Sequence, residues 1–220
     1  QFCFNLHDQR TIFSAGDPPK PATLSFLAPA ADETKAFTGN RIVAARLIAE
    51  LSRPLRQEIG IGRYDDTFNP DCVGDSFQSA GTPTLLFEAG HYPGDYQREE
   101  TRYYVYRALQ NALKAIRSGT YKKVPVAEYL EIPENRSRFL DIVIRNAHHL
   151  NQKYPRGTGV GLQYTEVLEQ GRIHFRPSIA REGDLMEYHG HASWDAARPE
   201  HLRQLEASVE LMRLISTHSS

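Results

Sequence analysis

Two short apolar runs, each ending on an ionisable residue, constrain this 220-residue chain more than any other feature. Phe2-Cys3-Phe4-Asn5-Leu6 breaks abruptly into His7-Asp8-Gln9-Arg10, and Thr82-Pro83-Thr84-Leu85-Leu86-Phe87 delivers Glu88 just before the turn formers Gly90, Pro93 and Gly94. Runs this short and this rich in Phe and Leu fit buried strands of a central sheet better than surface helices. If the two strands are near neighbours, an imidazole and a carboxylate stand on the same rim.

The segments around them predict the rest of an α/β fold. Thr38 and Asn40 offer caps to a helix carrying Ile42, Val43, Leu47, Ile48 and Leu51 at helical spacing, which predicts one buried face. Residues 64–81 are dense in Asp, Asn, Pro and Gly and read as a long ordered loop. Asp95 can cap a second helix with Val105, Ala108, Leu109, Ala112, Leu113 and Ile116 on one side, closed by Gly119. The order strand, helix, loop, strand, helix predicts part of a mixed central β-sheet flanked by helices, with ligands gathered at strand C-termini.

Beyond about residue 120 the segments shorten. Residues 139–144 read as a strand, residues 160–164 and 172–177 as a hairpin around Glu169-Gln170-Gly171, and residues 199–216 as a terminal helix. The expected division is therefore 1–119, a sheet-and-helix domain, and 120–220, a small α+β accessory region.

Composition excludes several classes of function. Lys plus Arg total 26 against 27 for Asp plus Glu, and without a basic run to track a phosphate backbone nucleic acid is not an expected partner. Cys3 and Cys72 are too few for a disulfide framework, which points to a reducing, cytoplasmic setting. No segment approaches the roughly 20 apolar residues of a membrane span, so no membrane partner is expected.

The motifs Asn-Leu-His7-Asp-Gln-Arg-Thr-Ile-Phe-Ser and Pro-Thr-Leu-Leu-Phe-Glu88-Ala-Gly-His-Tyr-Pro-Gly-Asp-Tyr resemble a bacterial branch of the carboxypeptidase A-like zinc metallocarboxypeptidases. The resemblance covers residues 1 to about 118. It implies that His7 is the third zinc ligand and Glu88 the general base in hydrolysis of a peptide's C-terminal bond. The implied cofactor is one catalytic zinc, and the implied partner is a peptide or protein C-terminus.

The resemblance also implies a mobile Tyr, for which Tyr64 is the candidate and Phe68 falls about as close. Asp75 falls where the specificity pocket is lined, and as a turn-forming residue it has an equally good local explanation. His91 follows the Glu88 strand and is a candidate wall of the cleft.

The family's His-x-x-Glu zinc motif does not occur in the chain, nor do its upstream Arg and Asn-Arg positions. Asn135-Arg136 repeats the dipeptide in the wrong chain order and is assigned no role. The expectation is a C-terminal portion of an enzyme, inactive by itself, with a carboxypeptidase-like binding module that has lost catalysis as the alternative.

Tyr188-His189-Gly190-His191 is the rival metal site, since two His at i and i+2 share one side of a strand and His174 is a possible third member. His148 and His149, on consecutive positions, are expected to face apart.

Overall fold

The computed structural model describes residues 1–217, and the chain divides into two compact units, the first Gln1–Ser137 and the second beginning at Arg138. The protein is mixed α/β. In the first unit the elements run β1 (Cys3–Asp8), β2 (Phe13–Ala15), β3 (Lys20–Leu27), α1 (Gly39–Ser52), β4 (Gly60–Arg63), α2 (Val73–Ser79), β5 (Thr84–Ala89), α3 (Glu99–Ser118), α4 (Val126–Leu130) and β6 (Arg136–Ser137).

The two runs that end on ionisable residues are β1 and β5, and they pair in parallel with His7 opposite Glu88. On its other side β5 pairs antiparallel with β3, Glu88 facing Ser25, and β3 pairs in parallel with β4, Ser25 facing Gly62. One face of this mixed sheet is apolar: Phe87 meets Phe4 and Phe26 edge-on at 5.6 and 5.1 Å, and α1 and α3 cover them. The opposite face carries the polar row His7, Glu88, Ser25, Gly62, because partners directly across a sheet point to the same side.

Three sequence expectations give way to packing. The α1 helix is buried on most of its circumference, with Arg41, Ala44, Ala45, Leu47, Ile48, Ala49, Leu51 and Ser52 all inside, while Ile42 and Val43 are only half-buried. It sits between the sheet, α3 and α4, so a single-face pattern was the wrong template. In α3 the buried stripe is Tyr104, Ala108, Ala112 and Ala115, and Leu113 is 60% exposed. The stretch 64–81 is not all loop, because Cys72 opens the short helix α2, which packs on β1 and β5.

Residues 120–137 belong to the first unit rather than to an accessory region: Tyr121, Val124, Tyr129 and Ile132 lie in its core. Tyr129 is fixed there by its hydroxyl, which accepts the Ala28 amide at 3.1 Å.

Asp95 caps α3 from upstream, Oδ1 accepting the Glu99 amide at 2.8 Å and Oδ2 the Thr101 amide at 3.0 Å. Asp95→Ala is expected to cost about 1 kcal/mol, read as a lower urea midpoint with an unchanged slope. Gly119, at φ 72°, closes the helix as expected.

The second unit contains β7 (Phe139–Arg145), β8 (Gly159–Glu169), β9 (Arg172–Gly183), β10 (His189–Asp195), α5 (Pro199–Glu206) and α6 (Val209–Thr217). Its sheet order is β10-β7-β8-β9, and Leu205, Leu211 and Ile215 of the helices pack on Ile142, Ile144, Val160 and Leu162. Gln170 and Gly171, at φ 50° and 76°, make the two-residue hairpin turn. The expected single terminal helix is two, because Ser208 ends one and opens the next, its carbonyl accepting the Met212 amide at 3.0 Å. Trp194, the only tryptophan, donates its indole N–H to Gln204 at 3.2 Å within this unit.

No helix among the described residues is long and apolar enough to cross a membrane.

Candidate active site

Glu88 is 5% exposed, and its Oε2 has no hydrogen-bond partner among the described residues. A buried carboxylate without a donor holds its proton to higher pH, and burial, with the Asp8 carboxylate second, pushes Glu88 up to about 7. That places it where a side chain can both take and return a proton near neutrality.

His7 is exposed at the outer strand of the sheet, its Nε2 3.0 Å from Asn5 Oδ1. One residue beyond the His7–Glu88 pair, Arg98 ties the two strand ends together. It pairs with Asp8 and donates to the Ala89 carbonyl at 2.7 Å. Arg98 does this from a left-handed backbone at φ 65°, a conformation few non-glycine residues adopt.

Tyr64 follows β4, its amide donating to Phe26 O at 2.9 Å and its ring edge-on to Phe13. Burial raises its hydroxyl's pKa, and the Glu88 and Asp65 carboxylates add to the rise, which brings Tyr64 into the electrostatic neighbourhood of Glu88. Asp75 lies on α2, which packs against β1 and β5; it is buried, and burial raises its pKa. His91 continues past β5 with its backbone held by Ala22 and Thr23 of β3.

Sequence reasoning missed the uncharged groups beside Glu88. Ser25 Oγ donates to Asn135 Oδ1 at 3.0 Å, Asn135 Nδ2 to Gln9 Oε1 at 2.9 Å, and Gln9 Nε2 to the Ala22 carbonyl at 3.2 Å. Gln9 adjoins the His7 motif and was visible there. Nothing local marks Asn135 or Ser25.

Among the described residues no three His, Cys, Asp or Glu side chains gather closely enough to hold a metal ion. A catalytic zinc takes three protein ligands, and this rim offers the His7 imidazole beside the Glu88 carboxylate. The donor set of the described residues therefore does not by itself fit zinc.

The rival site fares no better. Phe139 lies against both His189 and His191, the latter stacked at 4.9 Å, and burial together with Arg145 and Arg138 lowers the pKa of His189. His174 is on β9, at the opposite edge of that sheet from β10, about 14 Å away by strand spacing. His148 and His149 do not face apart, because a 3₁₀ turn at Ala147–His149 brings their rings to 4.2 Å.

No protein-family model matches the chain, and neither does any curated protein or any solved structure.

Proposed function

We propose that this chain carries the proton-accepting part of a zinc metallocarboxypeptidase centre, with Glu88 as general base and His7 as one metal ligand. The supporting observation is the pairing of His7 with a buried Glu88 whose Oε2 lacks a donor, on adjacent parallel strands. A carboxylate in that state takes a proton from water as the water attacks a peptide carbonyl, and returns it to the leaving amine. Tyr64, Asp75 and His91 are the side chains assigned to the substrate path.

The metal requires two more ligands than the described residues supply. The 220-residue chain alone is expected to lose added zinc to a weak chelator during equilibrium dialysis, because an incomplete ligand set cannot offset the cost of ordering the site.

Zinc stoichiometry and release of C-terminal residues from peptides, measured together on the natural protein, test the reading. Hydrolysis that tracks bound zinc and depends on Glu88 supports it. Metal-independent peptide binding without hydrolysis favours the second reading, a binding module, which the incomplete donor set also fits.

A further inference from the structure

We infer that Asn135 is a substrate-positioning residue of the Glu88 site, donating its second Nδ2 proton to an acceptor oxygen of a peptide laid from Glu88 towards β4. The inference rests on the Glu88 reading and adds a contact that it lacks.

The direction of the amide chain is fixed from one end. The Ala22 carbonyl can only accept, so Gln9 must turn Nε2 towards it and Oε1 towards Asn135. Asn135 must then present Nδ2 to Gln9 and Oδ1 to Ser25, and Ser25 must be the donor. Ser25 and Gln9 are both buried, so the two groups that grip Asn135 are themselves immobile. Asn135 is only partly buried, and its remaining Nδ2 proton has no acceptor among the described residues.

The backbone beneath has been cleared for this side chain. A Cβ on Gly62 would stand 1.8 Å from Asn135 Oδ1, so any larger residue there would displace this amide. Gly62 lies two strands from Glu88 in the same cross-sheet row, roughly 10 Å along the sheet by strand spacing. About three extended residues cover that span. A peptide whose reacting carbonyl lies at Glu88 therefore brings a neighbouring carbonyl or its terminal carboxylate up to the Asn135 amide that covers Gly62.

A proton–nitrogen NMR titration with N-acetyl-Ala-Phe, a blocked dipeptide with a free carboxylate, tests this on the wild-type protein. One Asn135 Nδ2 proton is expected to move downfield and saturate while the other, held by Gln9, stays in place. Asn135→Ala is expected to weaken the probe by about fivefold, the worth of one hydrogen bond. If the probe binds and neither Nδ2 proton moves, the inference is overturned, and any loss in Asn135→Ala is then structural. A probe that shifts nothing on this face overturns it as well. Glu88-dependent hydrolysis by the natural protein is judged separately, so an unmoved Asn135 beside intact Glu88 chemistry removes this inference alone.

Discussion

Glu88→Gln is expected to stabilise the metal-free first unit at pH 8 and, on the proposed function, to abolish peptide hydrolysis. The sign follows from the two states of the carboxyl group. Below pH 4.5 it is protonated in both the folded and unfolded chain, so it contributes no pH dependence. Between 4.5 and about 7 the unfolded chain gives up a proton that the buried Glu88 keeps, so stability falls as pH rises, and it levels off above 7. A rise from 4.5 to about 7 corresponds to on the order of 3 kcal/mol between pH 4 and pH 8. Glutamine has nearly the same shape and no proton to lose, so its variant should unfold at the same urea concentration at pH 6 and pH 8. A wild-type midpoint that does not fall over this range would count against a buried, proton-retaining Glu88. On the proposed function, the same substitution should lower kcat for peptide hydrolysis by about 10²–10⁴, the usual contribution of a general base, with KM little changed.

The other large effect belongs to Arg41, the largest fully buried side chain of the molecule. Its guanidinium pairs with Asp66, donates to the carbonyls of Ala28 at 3.1 Å and of Lys35, and lies 4.0 Å over the Phe37 ring. These contacts hold the segment after β3 and the loop after β4 onto the first turn of α1. Arg41→Ala removes all of them, opens a cavity and leaves Asp66 without its cation, so a loss of about 4 kcal/mol is expected in urea denaturation. Arg41→Met combined with Asp66→Asn should recover more than half of that loss, because most of it is the cost of stranded polar groups rather than the net worth of the pair. Equal losses in Arg41→Ala and the double variant would show that the guanidinium's hydrogen bonds to Ala28 and Lys35, which neither variant makes, dominate.

The contrast between these two residues explains what was legible in the sequence. The strands that carry His7 and Glu88 could be placed because a strand announces itself by a run of apolar residues and its end by the first polar one. Arg41 sat in a helix whose apolar spacing pointed to Ile42 and Val43, and a charged residue at a helix start is ordinarily read as solvated. Only the packing of α1 between the sheet, α3 and α4 makes it central. The polar chain beside Glu88 was illegible for a simpler reason: Ser25 and Asn135 are 110 residues apart and Gln9 and Asn135 are 126 apart, with no periodicity linking them. The α/β class, the hairpin turn and the caps of α3 are local properties and were read from local sequence. The placement of residues 120–137 in the first unit depends on where Tyr121 and Tyr129 find a core, which is a tertiary property.

The single indole at Trp194 gives the two units separate optical signatures. Fluorescence excited at the red edge of its absorption follows the second unit, whereas the two longest helices, of 14 and 20 residues, lie in the first and dominate the far-ultraviolet circular dichroism. Denaturation curves recorded by both methods on one sample therefore report the two halves independently. A Glu88→Gln shift confined to dichroism identifies two folding units, and a shift shared by both curves identifies one cooperative system.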